Sequence, residues 1–230
     1  MRKKLLFTLL TILCFKIGTV SAQFSRPVSV GAGAGATYNL TDLANVESNF
    51  AFYAEADYLI TPFISVGLHG EKGKLSGNGY NSDFENRYFA GNVNGKVRVG
   101  QFLGHANNYS NYTLGAGTFS RILSTVYLGA GAGLVKNRIK GQIDPSYADA
   151  ITSQGGELAD DVGEIHFVIP LNVGVDIPFG RTLYGPQWAI NVNYQHTLTT
   201  NDNLDGIKNN NNDQYGFVSV GVKYALFNRK

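Results

Sequence analysis

The chain has 230 residues, and its 19 Lys and Arg against 17 Asp and Glu give a formal net charge of +2. This length suits one domain, and so balanced a charge excludes the strongly basic surface that nucleic-acid binding requires. Glycine (28), tyrosine (13) and phenylalanine (14) are abundant while proline (6) is sparse, a mixture that favours strands over helices.

The first 22 residues have the layout of a secretory signal. Residues 1–4 include three basic side chains, residues 5–13 are apolar, and residues 20–22 are small enough for signal peptidase, which predicts cleavage after Ala22. The apolar run is too short to cross a bilayer as a helix. Cleavage removes four of the 19 basic residues and the only cysteine, Cys14. We therefore expect a signal peptide at 1–22 and one exported domain at 23–230.

Eight later segments alternate between apolar and polar residues, which is typical of β-strands that separate two different media. The last is the clearest, because every even position from 218 to 226 is apolar and every odd position between them is small or polar. The segments lie at about 28–40, 50–60, 64–69, 88–101, 126–137, 164–177, 188–195 and 218–226.

Charge separates the two faces of these segments. None of the apolar positions that define one face is charged, whereas the opposite face carries Glu55, Asp57, His69, Lys96, Arg98, Glu164, His166, Asp176 and Lys223. A charged side chain at the lipid midplane costs about 2–4 kcal/mol. Contact with lipid therefore excludes charged residues from one face of a strand, whereas the opposite face can carry them. A soluble barrel has the reverse arrangement, with apolar residues inside. The pattern predicts an all-β fold, a closed antiparallel transmembrane barrel of eight strands.

The connections between segments alternate in length. With a periplasmic amino end, the outward connections are about 41–49, 73–84, 140–163 and 198–214, and the inner turns include 61–62 and 178–186. Long outer loops and short inner turns are the asymmetry of outer-membrane barrels. The connection at 102–124 is too long for a turn. It contains either a helical turn at 118–124 or an extra hairpin at 112–117, which would make ten strands.

Aromatic residues fall where the strands should cross the lipid headgroups. The predicted periplasmic group is Tyr58, Phe63, Trp188 and Tyr224, and the predicted outer group is Tyr38, Phe52, Phe89, Tyr194 and Phe217.

Four segments combine alternation with glycine or proline: TPFISVG at 61–67, YLGAGAG at 127–133, PLNVGVDIP at 170–178 and FVSVGVKY at 217–224. With these segments and its signal, the sequence resembles the small outer-membrane β-barrel proteins of Gram-negative bacteria, a porin-like group similar to the OmpA-type amino-terminal barrel. The resemblance implies location in the cell outer membrane, contact with outer-membrane lipid, and insertion by the barrel-assembly machinery, which reads a closing aromatic residue. Here that residue is Phe227, followed by three polar residues.

Six charged residues should project into one narrow lumen: Glu55, Asp57, Lys96, Arg98, Asp176 and Lys223. The favoured interpretation is an ion-paired plug, because an eight-stranded barrel has room for little besides side chains. The alternative is a gate, in which rearranged pairs open a small ion path.

Other candidate sites are weaker. The glycines at 31–35 and 129–133 suggest a phosphate loop, but they recur every second residue within strands, so packing explains them better. His196 is a candidate base for lipid chemistry, although no carboxylate is placed to orient it. The segment 202–206 lacks the oxygen ligands of a calcium loop. We expect no catalytic, metal or cofactor site.

These patterns predict an outer-membrane barrel with a structural or surface-interaction role, in which the outer loops contact an unknown extracellular ligand. A narrow porin-like channel is the first alternative, and a lipid-modifying enzyme is the second. Nucleic acid is not an expected partner.

Overall fold

The computed structural model describes residues 27–40, 47–61, 63–79, 82–102, 118–143, 157–158, 165–180, 187–200, 207–208 and 213–226. The predicted signal peptide, the alternative hairpin at 112–117 and the segment 202–206 lie outside these residues.

The described strands form a closed antiparallel barrel. In chain order they are β1 (Val28–Asn39), β2 (Ser48–Leu59), β3 (Ile64–Gly79), β4 (Ser82–Arg98), β5 (Val126–Ile143), β6 (Glu157–Leu158), β7 (Ile165–Phe179), β8 (Trp188–Thr199), β9 (Ile207–Lys208) and β10 (Gln214–Leu226). All except β6 and β9 belong to the barrel, in the order β1-β10-β8-β7-β5-β4-β3-β2. Pairing of β1 with β10, from Val28↔Leu226 to Asn39↔Tyr215, closes the wall. The prediction of an eight-stranded transmembrane barrel is confirmed.

The two faces of the wall differ as the alternation predicts. Outward-facing apolar side chains are exposed, among them Leu68 (63%) and Leu128 (61%), whereas inward-facing polar side chains such as Asn94 (1%) are buried. Exposure of a continuous apolar belt over a polar interior is unfavourable in water and suits a wall surrounded by hydrocarbon. The structure therefore has the arrangement of a transmembrane barrel.

The barrel has two unlike ends. At the turn end, β2 and β3 are joined tightly: the amide nitrogens of Ile60 and Thr61 donate to the Ile64 carbonyl oxygen, at 2.9 and 3.1 Å. The loop end is the opposite end, where β1, β3, β5 and β8 finish. There β6 and β9 pair with each other in a separate two-stranded ladder, with Glu157 opposite Lys208.

Several strands run further towards the loop end than predicted. The segment 73–84 was expected to be a loop, yet β3 continues to Gly79 and β4 begins at Ser82, paired from Ile64↔Val97 to Gly79↔Ser82. β5 continues to Ile143 against β4. Beyond the apolar belt, the outward face has no need to be apolar, so the alternation ends although the hydrogen-bonded ladder continues.

The connection between β4 and β5 contains helical structure. Val99–Phe102 forms a 3₁₀ turn, and α1 spans Thr118–Thr125, which confirms the predicted helical turn at 118–124. The Thr125 hydroxyl donates to the Ile122 carbonyl oxygen at 2.8 Å at the end of this helix. In the described part of the chain, no helix is long and apolar enough to cross a membrane.

Candidate functional site in the barrel lumen

All six charged residues expected in the lumen meet near the turn end. Glu55 and Asp57 project from β2, Asp176 from β7, Lys96 and Arg98 from β4, and Lys223 from β10. The register explains how distant strands meet: Gly31 on β1 lies between Lys223 and Glu55, opposite both. Because Gly31 has no side chain, the two charged side chains approach each other over it.

The six side chains form one continuous ion-pair network. Lys96 Nζ lies 2.6 Å from Glu55 Oε2 and 3.0 Å from Asp57 Oδ2. Arg98 Nη2 lies 3.0 Å from Asp176 Oδ2. Three cations thus face three carboxylates, and the network has no net formal charge.

Lys223 is the centre of this network. Its Nζ lies 3.0 Å from Glu55 Oε1, 3.2 Å from Asp57 Oδ2 and 3.2 Å from Asp176 Oδ1. Only 6% of its side chain is exposed. A buried charge is tolerated only when it is paired, so the three carboxylates and Lys223 each depend on the others.

One tyrosine, Tyr127, covers the network, although the alternation of the sequence gives no sign of this role. Lys96 Nζ and Lys223 Nζ lie 5.4 and 5.5 Å from the centre of the Tyr127 ring, within cation–π range. The Tyr127 hydroxyl donates to Asn193 Oδ1 at 3.1 Å and accepts from Asn191 Nδ2 at 2.9 Å. Tyr127 therefore contacts both the lysines of the network and the asparagines next to it.

A layer of asparagines fills the middle of the lumen. Asn191 Nδ2 also donates to Asp176 Oδ1 at 2.9 Å, which joins this layer to the ion pairs. Asn193 Nδ2 donates to Asn172 Oδ1 at 3.2 Å, and Asn94 Nδ2 donates to Asn92 Oδ1 at 2.5 Å. Side chains that hydrogen-bond to one another in this way leave little room for a water-filled path.

A second polar cluster lies nearer the loop end, around Glu71. Its carboxylate accepts hydrogen bonds from the Tyr88 hydroxyl and, at 3.1 Å, from Gln195 Nε2. His69 Nε2 lies 3.8 Å from Glu71, and the His69 ring stacks on Tyr53 with centres 5.3 Å apart. The sequence analysis missed Glu71 because it ended this strand early, although the odd-numbered parity would have placed Glu71 inward.

Apolar side chains complete the filling of the lumen towards the loop end. One buried cluster contains Leu75, Tyr88, Ala90, Val135, Val168 and Tyr215, and another contains Ala51, Tyr53 and Phe217. The expectation that Phe217 belongs to the outer aromatic group is wrong: its odd-numbered position points it inward, where it is fully buried.

The glycine runs lie inside strands and make room for lumen side chains. A Cβ atom on Gly33 would lie 2.6 Å from Tyr53 Cε1 and 2.3 Å from the Val220 carbonyl oxygen. A phosphate loop requires glycines between a strand and a helix, and both runs lie within β1 and β5. Close packing therefore accounts for these glycines.

His196 lies on the outward face of β8, as its parity predicts. Its Nε2 lies 3.0 Å from Gln214 Oε1, and its Nδ1 lies 3.3 Å from the Tyr194 hydroxyl. Neither contact is a carboxylate, so the ring lacks the orienting acid of a catalytic base. Within the described residues, no group of three or more His, Cys, Asp or Glu side chains could hold a metal ion.

Comparison with solved structures agrees with this architecture. Ail, the attachment invasion locus protein of Yersinia pestis, is 11% identical with a TM-score of 0.50, and the match covers 88% of this chain and 100% of Ail. The chain has the fold of the small outer-membrane barrels. Neisserial surface protein A matches at 14% identity over 87% of this chain and 97% of its own, with a TM-score of 0.48. No family model matches the chain, and no curated protein matches it in sequence.

Proposed function

We propose that the protein resides in the outer membrane of a Gram-negative bacterium as a non-conducting barrel, and that it acts through the surface at its loop end. The filled lumen carries this proposal. Among the described residues, ion pairs, linked asparagines and apolar clusters follow one another along the axis, so we expect neither an ion nor a solute to find a continuous wet path.

The loop end is the more elaborate of the two ends, which supports a role in surface interaction. β3, β4 and β5 continue there beyond the apolar belt, in register to Ser82↔Ile143. The ladder of β6 with β9 joins the outer connections 140–163 and 198–214, because each connection contributes one of its strands. Two long connections that hydrogen-bond to each other form a more defined surface than two independent loops, and ordering them in advance favours ligand binding.

The two alternatives receive less support. A channel needs a lumen wider or emptier than this one. A lipid-modifying enzyme needs a base, a hydroxyl and an orienting carboxylate in contact, and His196 contacts only an amide and a phenol among the described side chains.

Single-channel recording tests the proposal. We expect the folded barrel, inserted into a planar bilayer, to show no discrete conductance steps, because the paired charges and apolar clusters close the lumen. Insertion is verified separately by protease resistance in vesicles of the same lipid. Regular conductance steps from the inserted wild-type barrel would contradict the plug and favour the channel.

Shortening both outer connections separates the role of the loops from that of the wall. Replacing 144–156 and 201–206 by short Gly-Ser linkers should leave barrel assembly intact and weaken the adhesion that we expect between vesicles carrying the protein and other cells. Unchanged adhesion of the shortened barrel would contradict a role for these connections.

A further inference from the structure

Five basic side chains lie together on the outward face of the barrel wall, and we call them the outer basic patch. They are Lys72 and Lys74 on β3, Arg87 on β4, and Lys136 and Arg138 on β5. All are exposed or half-exposed, with 70% of the Arg87 side chain accessible. Much of this region is predicted from the sequence to be loop, so the alternation gives no reason to group these residues.

The strand register brings the five residues into two adjacent rows. In the row nearer the loop end, Arg87 is directly opposite both Lys74 and Arg138. In the next row, Lys72 and Lys136 flank Phe89 from opposite sides. With neighbouring strands about 4.8 Å apart and two residues spanning about 7 Å, the patch measures about 10 by 7 Å at the backbone.

The patch begins where the apolar belt ends. On β5, the outward position before Lys136 is Leu134, which is 55% exposed, and Phe89 within the lower row is 59% exposed. The basic groups therefore stand at the height where lipid headgroups would surround a barrel whose belt lies in hydrocarbon. Lys and Arg at this level can extend towards the headgroups while their stems cover apolar surface.

The concentration of positive charge is local and only partly compensated. Among the described side chains, Glu85 lies within reach: its carboxylate is 2.9 Å from both Lys74 Nζ and Arg87 Nε. Like charges directly opposite in a sheet are destabilising, and Arg87 faces Arg138 in this way. An anion bound between them would relieve that repulsion.

The rest of the wall lacks this feature. Among the side chains that the structure describes, the outward faces of β1, β2, β7, β8 and β10 carry no Lys or Arg. At the loop end those strands present aromatic, amide and aliphatic residues, for example Tyr38, Gln214 and Leu198. The patch is thus confined to three adjacent strands.

We propose that the outer basic patch binds the phosphate groups of an anionic membrane lipid in the surrounding leaflet. Phosphate accepts several charge-assisted hydrogen bonds at once, and Arg guanidinium groups bind it in bidentate geometry. A patch of about 10 by 7 Å accommodates one or two phosphate groups. Phe89 lies within its lower row and Leu134 lies below that row, where both can contact the acyl chains. The inference rests on the proposed location of the barrel in a membrane.

Native mass spectrometry of the full chain, folded in detergent micelles, tests this inference. The micelles carry either phosphatidic acid or phosphatidylcholine with the same acyl chains, and the lipids retained by the barrel are compared. We expect about a tenfold preference for phosphatidic acid at low ionic strength, with a smaller preference at high salt. Replacing all five basic residues by Gln should abolish the preference.

Matched variants distinguish binding of lipid at the patch from non-specific electrostatic attraction between the barrel and anionic lipid. Glu85→Gln should maintain or increase the preference, because it removes the competing carboxylate. The double variant Arg87→Gln, Arg138→Gln should lower the preference for phosphatidic acid several-fold. It serves as the test if the variant with all five basic residues replaced does not fold. Inorganic phosphate at millimolar concentration should leave the lipid bound. Displacement by phosphate would overturn the assignment to a lipid.

The failure of this inference can be told apart from failure of the proposed function. Equal retention of the two lipids by a wild-type barrel that inserts into vesicles would overturn the lipid site alone. The lipid site alone would also be overturned if the variant with all five basic residues replaced by Gln kept the wild-type preference. A wild-type chain that does not insert into vesicles would overturn both the membrane location and the site.

Discussion

Replacing Lys223 by methionine should lower the free energy of unfolding by about 3–5 kcal/mol, the cost of breaking a buried ion pair by removing one partner. The reason is that Lys223 contacts Glu55, Asp57 and Asp176 at 3.0–3.2 Å. Without it, three carboxylates in the lumen share two cations. Equilibrium unfolding in guanidinium chloride from lipid vesicles measures the change.

Two comparisons make this result specific. Lys72→Met removes a lysine from the exposed face of β3, and we expect a change within about 0.5 kcal/mol. Combining Lys223→Met with Asp57→Asn should recover part of the lost stability, because the number of unpaired carboxylates falls. A loss for Lys223→Met no larger than that for Lys72→Met would show that the lumen charges are hydrated, which would favour the gate over the plug.

Replacing Val173 by lysine should destabilise the folded barrel by about 2–4 kcal/mol, or prevent insertion, because it places a charge on the lipid face. Val173 projects outward from the middle of β7, between Leu128 on β5 and Tyr194 on β8. The measurement is the same unfolding equilibrium, together with the fraction of protein that becomes protease-resistant in vesicles.

Val173→Leu keeps the position apolar and should cost less than about 1 kcal/mol. Asn172→Asp, one residue away, places its charge in the lumen, where Asn193 donates to the same side chain at 3.2 Å. An unpaired charge in the lumen also costs stability, but we expect a smaller loss than for Val173→Lys, because a hydrogen-bond donor to the carboxylate remains. Equal effects of the lysine and aspartate variants would contradict the assignment of the two faces.

The barrel wall could be predicted from the sequence because lipid imposes a strict rule on every second residue. That rule places Val218, Val220 and Val222 outward without knowledge of any neighbour. It applies only within the apolar belt, which explains why β3, β4 and β5 extend further towards the loop end than the alternation predicts. Where water surrounds both faces, only the hydrogen-bonded ladder shows that the strand continues.

The contacts within the lumen could be predicted only in part. The alternation within each strand places Glu55, Lys96 and Lys223 in the lumen, but it does not give the position of each side chain along the barrel axis. Whether these side chains contact one another depends on the stagger between neighbouring strands. Closure of the barrel fixes this stagger, and the sequence of a single strand does not determine it. The interaction of Tyr127 with both lysines could not be predicted for the same reason, since it crosses the lumen.

Phe217 shows how the boundary of a pattern can mislead. It precedes the clearest alternating segment and is large and aromatic, so it resembled a residue of the headgroup region. Its odd number agrees with the lumen parity of Ser219 and Lys223, and the structure packs it against Tyr53 with ring centres 6.1 Å apart. Position in the alternation is thus a better guide than residue type.

The depth of Trp188 in a bilayer tests the central claim, that the apolar outer wall is surrounded by hydrocarbon. Trp188 is the only tryptophan of the chain and lies at the turn end, half-exposed beside Tyr224 with ring centres 4.5 Å apart. Its fluorescence is measured in vesicles of lipids brominated at successive depths along the acyl chain. We predict strong quenching that is greatest for the shallowest bromines, as expected for an aromatic residue at the membrane interface. A folded barrel whose Trp188 is quenched by none of these lipids would contradict the account.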